Sequence, residues 1–246
     1  MQTIIGNQLL QYQIFGQKNK NTILILHGWE HNSNTWVNLA QSLSSKYKVV
    51  LLDLPGFGDS STPTTTLGIP EYTQTVKGFI QKTGLKSFSL IGHSLGGKIA
   101  ISLCSQPTVV KKLILISPSG IEQKSLLTKS KIAIFKALKP ILQISPHSLQ
   151  NYLFNKIASP DYREASPQMR PTFKKIISQN VSSLAAKIHI PTIIIWGDQD
   201  KELPVKYAKK LRQLIKNSIV RIVWKTGHSP HLENPQKLLT LLNEYL

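Results

Sequence analysis

A single cysteine, Cys104, is all the thiol this 246-residue chain carries. That excludes an internal disulfide framework and a cysteine-rich zinc site. Carboxylates are scarce too: 12 Asp and Glu stand against 30 Lys and Arg, for a formal net charge of +18. Among the cations arginine is rare, present only as Arg163, Arg170, Arg212 and Arg221. Base-reading and bidentate phosphate sites favour arginine, and the positive excess is spread along the whole chain, densest in residues 121–184. The expected consequence is weak attraction to anionic surfaces at low salt and no specific nucleic-acid partner. No uninterrupted apolar run approaches membrane-spanning length, and residues 1–8 lack a charged segment followed by an apolar one. The expectation is a soluble, unexported, cytoplasmic protein without a membrane span.

What the chain does have is 41% hydrophobic residues, enough to build the core of one large α/β unit. Residues 22–26, 49–52, 88–91, 113–116 and 192–196 are apolar runs without alternation, the mark of strands buried on both faces of a parallel sheet. A partly alternating strand is expected at 8–15 and a last one at 219–224. Helical spacing of apolar residues appears at 34–43, at Tyr72, Val76, Phe79 and Ile80, at 205–215 and at 235–246. Alternation of strand and helix predicts a doubly wound, mostly parallel sheet. The pattern breaks at 121–184, where helical patches alternate with Pro140, Pro146, Pro160, Pro167 and Pro171. The expected organisation is a core of residues 1–120 and 185–246 interrupted by a helical lid at 121–184. Within that lid Leu127, Ile134, Leu138 and Ile141 share one helical face.

The chemistry centres on Ser94. The period changes from strand to helix at this serine, and Gly92, Ser94 and Gly96 form Gly-x-Ser-x-Gly at the change. A sharp strand-to-helix turn of this kind exposes a nucleophilic hydroxyl and tolerates only small neighbours. A serine hydroxyl also needs a base within hydrogen-bond reach and an acid to orient that base. His228, just past the last strand, is the candidate base; Asp200 and Asp198, past the preceding strand, are the candidate acids. The N–H of Leu95, directly after the nucleophile, is one candidate oxyanion donor.

Gly-His-Ser-Leu-Gly-Gly at 92–97, His-Gly-Trp at 27–29, Asp-Leu-Pro-Gly-Phe-Gly-Asp-Ser at 53–60, Trp-Gly-Asp-Gln-Asp at 196–200 and Gly-His-Ser-Pro-His-Leu-Glu-Asn-Pro at 227–235 together resemble the α/β-hydrolase superfamily. Within it the chain is similar to small capped carboxylesterases and carbon–carbon bond hydrolases. Its His-Gly-Trp is similar to that of the pimeloyl-ester carboxylesterases of biotin synthesis, with Glu30 where those usually carry glycine. The resemblance implies Asp200 rather than Asp198 as the acid, His228 as the base, and the N–H of Trp29 as the second oxyanion donor. It assigns His27 and Asp53 to holding loops, and His93 and His231 to packing; His31, His147 and His189 have no partner in the sequence. The implied activity is cofactor-free and metal-free hydrolysis of a small ester or acyl compound through an acyl-enzyme. Carbon–carbon bond hydrolysis by the same triad, or a ligand receptor without turnover, are the alternatives.

Overall fold

The computed structural model describes residues 1–121 and 159–246. Residues 122–158, most of the expected lid and its amphipathic face from Leu127 to Ile141, lie outside the described residues.

Eight strands form one sheet: β1 (Gln2–Ile5), β2 (Gln8–Phe15), β3 (Thr22–Leu26), β4 (Lys48–Leu52), β5 (Phe88–His93), β6 (Val110–Ile116), β7 (Thr192–Gly197) and β8 (Ser218–Val223). Their spatial order is β1-β2-β4-β3-β5-β6-β7-β8. The hairpin of β1 and β2 joins antiparallel to β4, and every other pairing is parallel. After a short 3-10 turn at Ser33–Trp36, the described helices are α1 (Val37–Leu43), α2 (Ile69–Lys82), α3 (Leu95–Cys104), α4 (Pro160–Glu164), α5 (Arg170–Ser178), α6 (Ser182–Ala185), α7 (Lys206–Leu214), α8 (Pro230–Glu233) and α9 (Pro235–Tyr245).

Period-two alternation divides the central strands between two cores. Leu24, Leu26, Val50, Leu52, Leu90, Leu113, Leu115, Ile194 and Trp196 face a layer that includes α2, α3 and α7. Ile23, Ile25, Val49, Leu51, Ile91, Ile114, Ile116, Ile193 and Ile195 face α1 and α9. Burial on both faces is why these runs are apolar throughout.

The chain passes from β3 to β4 on one side and then crosses back to β5 on the other, so the winding reverses beside β3. Open parallel sheets hold ligands in the crevice beyond the strand ends at such a reversal. Parallel register pairs Leu26 with Gly92, so Trp29 and Leu95 each lie three residues past a register partner.

Residues 159–185 contain α4, α5 and α6 and lie against the core. Thr172 Oγ1 accepts from Leu67 N–H at 3.0 Å, Gln179 Oε1 accepts from Ile69 N–H at 2.8 Å, and buried Lys98 of α3 donates from Nζ to the Ile176 carbonyl at 2.7 Å. The Val181 N–H donates to the Gly120 carbonyl at 2.8 Å, which brings the return of the chain beside its departure.

Two elements escape the sequence periodicities. Strand β1 is four residues long, and α8 is a single turn opened by Pro230. The segment expected as one helix at 34–43 is the 3-10 turn followed by α1.

Close approach of backbone to backbone fixes the elbow glycines. A Cβ on Gly92 would lie 2.6 Å from the Gly96 carbonyl oxygen, and one on Gly96 would collide with the carbonyl oxygen of Leu26. Gly96→Ala is therefore expected to destabilise the protein by about 1–3 kcal/mol, the range for forced overpacking. Urea denaturation of the two proteins measures it.

Candidate active site

Ser94 sits between β5 and α3 at φ 47° and ψ −108°, a backbone region L-residues rarely occupy. Conformations of this kind cost about 1–3 kcal/mol and persist only where neighbours hold them. Here the holding bonds are Ser94 N–H to the Ile116 carbonyl at 3.1 Å, and Lys98 and Ser119 N–H groups to the Ser94 carbonyl at 3.0 and 3.1 Å. Gly96 N–H donates to the His27 carbonyl at 3.0 Å and ties α3 to the loop that carries Trp29. Leu95 opens α3, so its N–H belongs to the first turn, whose donors have no intrahelical acceptor.

His228 lies beyond β8, and its Nδ1–H donates to Asp200 Oδ2 at 2.8 Å. The other Asp200 oxygen accepts from the N–H groups of Glu202 and Leu203 at 3.0 and 2.8 Å. The side chain of Asp200 is fully buried and that of His228 is 10% exposed. Asp198 lies elsewhere: its Oδ1 accepts from Thr226 N–H at 3.1 Å and closes the turn after β8. Of the two candidate acids, Asp200 is thus the one against His228. Burial opposes protonation of His228, but its bond to Asp200 and the carboxylates of Asp200, Glu202 and Asp161 outweigh it, and the imidazole pKa is raised above 6.5.

His27 is a strut. Its Nδ1–H donates to the Gly28 carbonyl at 2.7 Å and its Nε2 accepts from Leu54 N–H at 2.9 Å. Both nitrogens are committed, and burial lowers its pKa to about 4. Asp53 braces the same loops, accepting from Ser33 N–H at 2.6 Å and Asp59 N–H at 3.0 Å. Trp29 packs its ring against Phe57 and Phe173, with centroids 4.9 and 5.0 Å apart. Cys104 is buried, and desolvation pushes its thiol up to about 12, where no thiolate forms at neutral pH.

Two features had little sequence signal. Glu30 adopts φ 59°, the left-handed conformation glycine favours. Its carboxyl is pushed up to about 7 by burial and by the charges of Asp161 and Glu164. Those two residues belong to α4, and burial also raises Asp161. Asp161 and Glu202, the latter likewise raised by burial, act on the His228 imidazole together with Asp200. The second feature is that His31, expected as an ordinary loop residue, stacks on His93 with ring centroids 5.5 Å apart. His93 is buried, as the sequence implies for a packing residue, and its Nε2–H donates to the His228 carbonyl at 3.0 Å. His189 is exposed, and His147 lies outside the described residues.

Comparison with known proteins places the chain among lipases and esterases. Monoacylglycerol lipase ABHD6 of Bos taurus is 28% identical over 259 residues, spanning 92% of this chain and 75% of the relative. The crystal structure of a membrane phospholipase A, a bacterial virulence factor, superposes with a TM-score of 0.80 at 27% identity, covering 99% of this chain and 84% of that one. A putative lipase of Acinetobacter baumannii AYE gives 0.78 at 25% identity, covering 100% and 89%. These likenesses correct the expectation of a cytoplasmic protein, since a structure this similar belongs to a membrane phospholipase. That expectation rested on the missing spanning run, and a protein can lie on a bilayer through charge and apolar side chains without crossing it. Among the described residues no helix is long and apolar enough to cross a membrane. The sequence profile of the alpha/beta hydrolase fold matches residues 21–176, and the chain is an enzyme of the α/β-hydrolase fold family.

Proposed function

We propose that the protein hydrolyses carboxylic esters of neutral, lipid-like alcohols through Ser94, His228 and Asp200. The observation that carries this reading is the His228–Asp200 pair at 2.8 Å, tied by the His93 bond to the His228 carbonyl at 3.0 Å to the residue directly before a serine held at φ 47°. Ser94 Oγ attacks the ester carbonyl while His228 Nε2 takes its proton. The tetrahedral oxyanion rests on the N–H groups of Leu95 and Trp29, and collapse expels the alcohol with the proton from His228. Water, activated by the same imidazole, then releases the acid and restores Ser94. Asp200 holds the Nδ1–H tautomer and stabilises the imidazolium in both steps. The residue range 121–184 serves as the lid, contributing Phe173 beside Trp29 to an apolar wall for the acyl chain.

The substrate class rests on two supports. The relatives include a monoacylglycerol lipase and a membrane phospholipase A. The charges of Asp161 and Glu202, which act on His228, repel an anionic alcohol portion and favour a neutral one, even though the protein as a whole is strongly positive. The same carboxylates hasten departure of the fatty acid, which leaves as an anion.

Ester turnover by purified protein, followed with a neutral monoacylglycerol, is expected to fall about 10⁶-fold in Ser94→Ala and about 10⁴-fold in Asp200→Asn, and to stay near wild type in Asp198→Asn. Equal losses in the two aspartate variants would remove Asp200 from the proposed role. The pH profile supplies a second check. Catalysis needs neutral His228, and its raised pKa places the acid limb of kcat/KM above about pH 6.5. Glu202→Gln deletes one of the charges that raise it, so the limb is expected to move to lower pH in that variant.

A further inference from the structure

Three histidines beside the site each leave a buried ring nitrogen without a hydrogen-bond partner among the described residues. His93 ends β5 and is 1% exposed. Its Nε2 faces the His228 carbonyl at 3.0 Å, and a carbonyl only accepts, so Nε2 carries the proton and Nδ1 is a bare lone pair. That Nδ1 is buried without a partner, in a space that Gly28 leaves open: a Cβ there would come within 2.8 Å of it. His231, on α8, is 4% exposed and lies flat on Trp36, ring centroids 4.0 Å apart at 3°. Neither of its nitrogens has a partner. His31, half-buried in the loop after β3, also has an unpartnered buried Nδ1. One ring nitrogen from each of the three lies within 4.8 Å of the other two.

Leaving a buried polar nitrogen unsatisfied carries a real penalty, and such groups call for an explanation by water or an ion. With each ring in the tautomer that turns a lone pair to the cluster, one water, which has only two protons to give, does not serve all three. A single cation accepts from all three. Neutral imidazoles suit zinc-class ions, and a site of three histidines with a fourth position open is a familiar coordination set. The His93 Nε2–H held by a backbone carbonyl is the kind of outer partner that fixes a ligating tautomer. Zinc–nitrogen bonds of about 2.0–2.1 Å put ligand nitrogens about 3.4 Å apart, so the rings need to close by less than about 1 Å each. Half-exposed His31 gives the ion a way in.

We propose that His31, His93 and His231 bind a divalent transition-metal ion of the zinc class, which clamps the loop after β3 and helix α8 to the end of β5. The ion neighbours the proposed hydrolytic residues, since the His93 ring lies 5.0 Å from that of His228, but supplies none of the chemistry assigned to them. It steadies the His93 ring, and through the His93 Nε2–H it steadies the backbone at His228.

The test uses the untagged full chain stripped by a chelator and titrated with Co²⁺, then Zn²⁺. Wild type is expected to bind one equivalent of Co²⁺ with visible d–d bands that Zn²⁺ abolishes, and Zn²⁺ is expected to raise its Tm. His31→Gln and His231→Phe, the latter keeping the ring on Trp36, are expected to weaken binding by at least about 10-fold and to lose the Tm response, while exposed His189→Gln binds as wild type does. Circular dichroism identifies any variant that fails to fold, and His31→Gln, at the half-exposed position, then decides alone. No Co²⁺ spectrum in wild type, or binding unchanged in His31→Gln, would overturn the proposal and leave the cluster to water. Both readouts are independent of ester turnover, so they stand whatever the hydrolysis assay returns.

Discussion

The strained turn at Ser94 is the constraint to which the surrounding structure is fitted. A residue at φ 47° stays there only if its neighbours leave it no better place. The Ile116 carbonyl holds its N–H, the first turn of α3 and Ser119 hold its carbonyl, and Gly92 and Gly96 let α3 approach β5 and β3 closely enough for those bonds to form. The same approach brings the end of β3 against the start of α3, through the Gly96 N–H to His27 carbonyl bond. His27 and Asp53 then brace the loops around that contact with fully committed hydrogen bonds. The parallel sheet supplies the rigidity on which this precision depends, because its strands are pinned by cores on both faces.

Charge is distributed as unevenly as strain. A chain with 12 carboxylates and a net charge of +18 gathers Asp161, Asp200 and Glu202 around one imidazole, with Glu30 and Glu164 beside Asp161. Partial desolvation and mutual repulsion hold Glu30, Asp161 and Glu202 above the ordinary carboxylate range. Asp200 acts on His228 through a direct bond, whereas Glu202, 3.7 Å from Nε2, and Asp161 act through space. The surround therefore tunes both the imidazole and the charge that an arriving substrate meets.

The fold was legible because each central strand is apolar along its whole length, and each helix facing it repeats its apolar residues at helical spacing. Strand β1 and helix α8 were not legible: four residues are too few to establish a period. Ser94, Asp200 and His228 could be marked at strand ends, where a parallel sheet puts its chemistry. The positive φ of Glu30 showed only as a departure from the glycine of similar sequences, since side-chain identity does not report backbone conformation. The gathering of His31, His93 and His231 had no signal at all. They come from three distant segments, at none of the short spacings that mark a metal site on one helix or loop, and only the register of the sheet brings them together.

The central claim is that Ser94 is an activated nucleophile, and covalent labelling tests it most directly. Folded protein is treated with a fluorophosphonate, digested and mapped by mass spectrometry. The account predicts one phosphonyl adduct, on the peptide that contains Ser94, with labelling slowed by orders of magnitude in His228→Ala. An unlabelled Ser94 in folded wild-type protein, or labelling at an unchanged rate without His228, would contradict it.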